Sequence, residues 1–88
     1  MDILKNASAG TMESSDAYVE VTPGTGVQIH LESVVAQQFG EAIRSAVREV
    51  LAEQNIENAN VRIVDRGALE CVIRARVETA VARGKGEA

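Results

Sequence analysis

The sequence predicts a small two-layer α+β domain: a three- to four-stranded, mainly antiparallel sheet with two helices packed on one face. Three observations predict it. The runs "DAYVEV" and "VQIHLE" alternate apolar and polar residues, which is the period of a half-buried strand. After Ser33 the apolar spacing lengthens to that of a helix and stays there for about six turns. A short apolar run, "VRIV", then precedes a second long segment rich in Ala, Arg and Glu. Strands and helices in this order form a sheet covered by helices.

Each element follows from its residues. Residues 1–12 alternate weakly and suit either an edge strand or a loose leader, with 1–8 the loosest part. Ala17, Val19 and Val21 then share one side of a strand, against Tyr18 and Glu20. "TPGTG", residues 22–26, is strong turn chemistry, with one Pro and two Gly in five residues. Val27, Ile29 and Leu31 form the next apolar side, against Gln28, His30 and Glu32. Two alternating runs around such a turn predict an antiparallel hairpin.

Ser33 is the expected N-cap of the first helix. Val35, Phe39, Ala42, Ile43, Ala46 and Val50 fall on its apolar face, and Gly40 marks a close backbone approach or a tolerated defect. Residues 61–64 read as a strand that "DRG" ends. The segment "ALECVIRARVETAVARG" fits either period. Its length, its Ala, Arg and Glu content and Gly84 as a C-cap favour a helix with Leu69, Val72, Ile73, Val77 and Ala80 inward. Residues 84–88 read as a frayed tail.

The 88 residues suffice for one small domain spanning 1–88. Only Tyr18 and Phe39 are aromatic, so the core must be built from Val, Ile, Leu and Ala. The net charge of -4 and the absence of a Lys/Arg run argue against nucleic acid. A single cysteine, Cys71, and a single histidine, His30, leave no disulfide framework and no metal-ligand set. No apolar run has the length of a membrane span, and no basic region followed by an apolar core marks a signal peptide. A cytoplasmic protein with no membrane partner is expected.

Little in the chain suggests catalysis. His30 lacks the Ser, Cys or Asp spacing of a triad and reads as a surface histidine. Cys71 reads as a buried, inert thiol. Arg74, Arg76 and Arg83 read as a solvated helix face paired with Glu70 and Glu78. The glycines of "PGTG" precede no Lys-Ser/Thr and no helix, so they form no phosphate loop. The remaining candidate is "TMESSD". Ser14 and Ser15 fall where the tip between two strands would lie, within reach of another protein.

Residues 9–16, "AGTMESSD", resemble the N-terminal signature of the acyl carrier protein of citrate lyase, its gamma subunit: Ala-Gly-Thr-Leu/Met-Glu-Ser-Gly-Asp. The resemblance continues through "QFGEAIR" and "VREVLAEQNIENANVRIVDRGALECVIRARVETAVARG" and covers nearly the whole chain. It implies a non-catalytic carrier. One serine would bear a covalent prosthetic group, 2'-(5''-phosphoribosyl)-3'-dephospho-coenzyme A, joined through a phosphodiester. Matching "MES" places that serine at Ser14. The glycine that follows it in the family is Ser15 here, which makes Ser15 the fallback site.

The resemblance also implies partners. An alpha (transferase) subunit would exchange acetyl for citrate on the carrier's thiol. A beta (lyase) subunit would cleave the citryl form to oxaloacetate and the acetyl form. A prosthetic-group transferase and an acetylating ligase would load the carrier. Two related carriers remain as alternatives, those of malonate decarboxylase and of a citramalate lyase. "GTMESSD" and the intact "GALEC" favour the citrate type over the malonate one. A reading of another class is an unmodified α+β interaction or regulatory domain, which requires Ser14 to be dispensable.

Overall fold

The computed structural model describes residues 2–86. The elements run β1 (Ala7–Gly10), β2 (Ala17–Thr22), β3 (Val27–Ser33), α1 (Ala36–Glu53), β4 (Ala59–Asp65) and α2 (Glu70–Gly84). They form a four-stranded sheet in the order β1-β2-β4-β3, with β3 and β4 parallel and the other two neighbouring pairs antiparallel. The two helices complete the α+β architecture read from the sequence.

Periodicity located β2, and length and composition resolved the ambiguous final segment correctly. In β2 the buried residues are Ala17, Val19 and Val21, and the final segment is helical. The core joins these to Val61 and Ile63 of β4, to Val47, Val50 and Leu51 of α1, and to Ile73, Val77, Ala80 and Val81 of α2. No described helix is long and apolar enough to cross a membrane.

The expected hairpin is split. β2 and β3 do not pair with each other, because β4 lies between them and pairs with both. Residues 23–26 therefore bridge the width of a strand and receive the start of β4. Asn58 Oδ1 accepts from the Gly26 amide at 2.8 Å, and the Ala59 amide donates to the Gly26 carbonyl at 2.9 Å. The physical reason lies in β4. Val61, Ile63 and Val64 are all buried, the pattern of a central strand that needs partners on both edges. The helix α1 supplies the long crossover that parallel β3 and β4 require.

Both chain ends of the described segment are tied together. Ile3 is buried, and the amides of Leu4 and Lys5 donate to the Gly84 carbonyl at 2.9 and 3.2 Å. Of the two readings of residues 1–12, the edge strand is the one found, as β1. Gly84 is not a C-cap but the last residue of α2, and Lys85 takes the cap position. A Cβ on Gly84 would stand 2.9 Å from Val21 Cγ2 and 3.1 Å from Ile3 Cγ2, so the glycine serves close packing. Of the expected frayed tail, residues 87–88 lie outside the described residues.

The first helix differs from expectation at its start. It begins at Ala36 with Val35 as N-cap and no side-chain cap. Ser33 lies too far back to cap it: β3 runs through Ser33, and its hydroxyl donates to Asp65 and accepts from the amide of the cap residue Val35 at 3.1 Å, not from an amide of the first helical turn. The buried stripe is Gly40, Ile43, Ala46, Val47, Val50 and Leu51, so it is rotated from the expected face. Phe39, expected in the core, is 54% exposed, and Ala42 is exposed too. The contacts a Cβ on Gly40 would make begin at 3.6 Å, which is ordinary packing, so Gly40 is a tolerated defect.

Candidate functional site

The tip between β1 and β2 is built by local rules and then clamped from a distance. Gly10 ends β1 with φ of +92°, and a Cβ there would fall 1.9 Å from the Ala17 carbonyl oxygen. Only glycine lets the chain leave β1 in this direction. Residues 13–16 then close a turn in which the Asp16 amide donates to the Glu13 carbonyl at 3.1 Å. Ser14 and Ser15 occupy its two central positions, and both are exposed. Among the described residues the Ser14 hydroxyl has no hydrogen-bond partner.

Ser15 has φ of +66°. This left-handed conformation strains any residue with a Cβ. It accounts for glycine in the signature that the tip resembles. Ser15→Gly is expected to raise stability by about 0.5–1 kcal/mol, the strain relief exceeding the entropy glycine adds to the unfolded chain. Thermal unfolding of the two proteins checks this, and a lower midpoint for the glycine variant contradicts it.

Two remote segments fix the turn. The Ser15 amide donates to the Arg66 carbonyl at 2.9 Å, and the Arg66 amide returns a bond to the Asp16 carbonyl at 3.0 Å. Asp16 is gripped by α2: Arg76 Nε donates to Oδ1 at 3.0 Å and Nη2 to Oδ2 at 3.1 Å. This two-point fork sets orientation as well as distance. The Thr11 hydroxyl donates to Oδ2 at 2.7 Å and the Ala17 amide to Oδ1 at 2.7 Å.

These contacts, the Thr11 hydrogen bond first and the Arg76 pair next, lower the Asp16 pKa from 3.8 to about 2. A carboxyl that is harder to protonate when folded stabilises the fold fully above its unfolded pKa. That contribution is lost as pH falls from about 3.8 toward 2. The stability advantage of wild type over Asp16→Asn is therefore expected to be constant from neutrality to about pH 4 and to shrink below it. Denaturant titrations of both proteins across that range test this, and an advantage independent of pH contradicts it.

Behind the clamp lies Asp65, the one buried charged residue among the described residues, 1% exposed. Its Oδ1 accepts from the amides of Gly67 and Ala68 at 3.1 and 2.9 Å, and its Oδ2 from the Ser33 hydroxyl at 2.8 Å. Its carbonyl accepts from the Val34 amide at 3.3 Å. Asp65 thus joins the β3–α1 and β4–α2 connections at the end of the sheet that carries the tip. Beside it an apolar cleft of about 340 Å3 opens between the helices, lined by Val35, Phe39, Ala42, Leu69 and Ile73 among others.

Several expected residues sit elsewhere. His30 is exposed on β3, in register with Arg62 of β4. Cys71 is exposed on α2, not buried, because the inward stripe of that helix is Ile73, Val77, Ala80 and Val81. The three arginines do not form one solvated face with Glu70 and Glu78. Arg74 pairs with Glu70 and with Glu49 of α1, Arg76 leaves for Asp16, and Arg83 donates to the Ser8 carbonyl at 2.7 Å. Sequence reasoning missed Thr11, Asp65, Arg66 and Arg76 as supports of the tip. The Asp16–Arg76 pair spans 60 residues and leaves no local signal.

Known proteins share both this chain's sequence and its fold. The carrier family model described as the malonate decarboxylase delta subunit (MdcD) matches residues 4–84. The citrate lyase acyl carrier protein of Escherichia fergusonii is 54% identical over 85 residues, 94% of this chain and 88% of that protein. The one from Haemophilus influenzae is 52% identical over 87 residues, 99% of this chain and 92% of that protein. The chain belongs to the citrate lyase acyl carrier protein family.

The crystal structure of a Pseudomonas malonate decarboxylase hetero-tetramer contains a chain that matches the carrier with a TM-score of 0.77. At 22% identity over 92% of the carrier and 84% of that chain, the match speaks for the fold alone. Identity near one half to the citrate lyase carriers places this chain with them and not with the malonate type. Family membership makes it an acyl carrier subunit of a lyase.

Proposed function

We propose that the chain carries acyl groups for citrate cleavage on a prosthetic group attached covalently to Ser14. The observation that carries this reading is an exposed serine hydroxyl, free of partners among the described residues, on a turn held rigid by Arg66 and Arg76. When bound, 2'-(5''-phosphoribosyl)-3'-dephospho-coenzyme A supplies a thiol on a long tether that carries acetyl and citryl groups between a transferase and a lyase subunit. The residues present fit such a group. Ser14 offers the oxygen for a phosphodiester, and the tip leaves open space around it.

The carrier's own part is positional. A tether keeps its cargo at high effective concentration near two active sites, provided the anchor point does not wander. The Asp16–Arg76 fork and the Arg66 bonds hold the anchor. Asp16 is a poor base, since its carboxyl is held at a pKa of about 2. The group that takes the Ser14 proton during attachment is therefore expected on the prosthetic-group transferase. The alpha and beta subunits, the loading ligase and a cytoplasmic setting belong to the same proposal.

Reconstitution separates the two related substrates. The loaded carrier combined with citrate lyase alpha and beta subunits is expected to release oxaloacetate from citrate. Failure there, together with activity in a malonate decarboxylase lacking its own carrier, would overturn the assignment to citrate.

A further inference from the structure

The apolar cleft between the helices lies close to the anchor and takes no part in holding it. The Ser15 amide bonds to the Arg66 carbonyl, and Gly67, the next residue, lines the cleft. Bond lengths and that 2.9 Å contact put the Ser14 Cα within about 9 Å of the Gly67 Cα. The cleft is mostly apolar, carries one aromatic side chain, Phe39, and has one acid on its lining besides Asp65, Glu70. Leu69 and Phe39, 73% and 54% exposed, give the cleft an apolar rim, a feature of ligand-binding grooves.

We infer that this cleft is the seat of the adenine base of the prosthetic group, with Phe39, Leu69, Val35 and Ile73 as its walls. The inference rests on the proposed attachment at Ser14. The chemistry favours the base over other parts of the group. Adenine is separated from the serine oxygen by one phosphate and two pentoses, whereas the thiol lies at the far end of the chain. A flat aromatic base stacks on a phenylalanine ring and on aliphatic walls. Glu70 at the rim is an acceptor for an exocyclic amine. The volume of about 340 Å3 lies within the range of small-molecule sites.

The charged parts have a partner of their own. Arg66 is exposed beside the anchor, and its side chain pairs with no acid among the described residues. Its long side chain starts from a backbone bonded to the tip, which puts a cation within reach of a phosphodiester on Ser14. Seating the base would shorten the free part of the tether to the segment beyond the nucleotide. The swinging arm would then start from a fixed shoulder, and Phe39 and Leu69 would be covered in the loaded protein.

The test compares the full-length carrier with and without the group, both checked by intact mass and by fragmentation at Ser14. Loading is expected to shift the methyl resonances of Val35, Leu69 and Ile73 and to give Overhauser contacts from the adenine protons to the Phe39 ring. Cleaving the diphosphate with a nucleotide pyrophosphatase removes the pantetheine half and is expected to leave those shifts in place. Phe39→Ala and Leu69→Ser, at exposed positions, are expected to leave the protein folded and loaded and to abolish the loading-dependent shifts of the Val35 and Ile73 methyls. Unchanged cleft methyls in a protein verified as loaded at Ser14 would overturn the inference alone and leave the cleft to a partner subunit. Shifts that vanish when the pantetheine half is removed would overturn the assignment to adenine. A native protein with no group at Ser14 would overturn both this inference and the attachment it rests on.

Discussion

Ser14→Ala is expected to abolish loading and, with it, all citrate cleavage that depends on this carrier, while the fold is unchanged. The residue is exposed and its hydroxyl has no partner among the described residues, so its loss is expected to move stability by no more than about 0.5 kcal/mol. The functional loss is complete because nothing else replaces the tether. A short flexible linker holds its cargo at an effective concentration of about a millimolar, and without the linker no acyl group is bound to the carrier at all. Ser15→Ala is expected to load normally. Mass spectrometry of the two variants after incubation with the loading enzymes gives the result. Loading of the Ser14 variant at Ser15 would move the site by one residue and leave the function in place.

Asp65→Ala is expected to be the most damaging single substitution at the tip end of the sheet. It removes the acceptor of three hydrogen bonds, from Ser33, Gly67 and Ala68, at a position 1% exposed. A stranded donor costs about 1–3 kcal/mol when buried; Ser33 and Ala68 are half-buried and Gly67 exposed, so water recovers part of that. A loss of roughly 3 kcal/mol would lower the midpoint of a domain this size by about 12–24 °C. Asp65→Asn keeps an acceptor for the two amides and is expected to lose about 1 kcal/mol. Calorimetry of the three proteins decides this. Equal midpoints for wild type and the alanine variant would mean that Asp65 does not organise this end. The alanine variant is also expected to load more slowly, because Arg66 follows directly on the residue that was removed.

Local signals were enough to place the elements: alternation marked β2, and length with Ala, Arg and Glu content marked α2, whose period fitted either structure. Pairing was not legible in the same way. The turn "TPGTG" joins consecutive strands, yet β4 enters between them from more than 30 residues downstream. Its even hydrophobicity at Val61, Ile63 and Val64 was the available sign of a central strand. Phe39 misled for a related reason. A helical wheel marks it as apolar, but the first turn of α1 stands over the cleft and not over the sheet.

The site divides along the same line. The anchor was legible, because the tip lies within one short motif and its residues resemble a known signature. Its supports were not. Arg76 is 60 residues from Asp16, and Arg66 acts through backbone atoms that any residue would supply. Cys71 was misplaced because a lone thiol within an ambiguous period carries no information on which face it takes.

The most direct measurement is the intact mass of the native protein from cells cleaving citrate, with the modified residue located by fragmentation. The account predicts one adduct of the mass of phosphoribosyl-dephospho-coenzyme A, on Ser14. An unmodified native chain would contradict it and leave the tip as an ordinary turn between two strands.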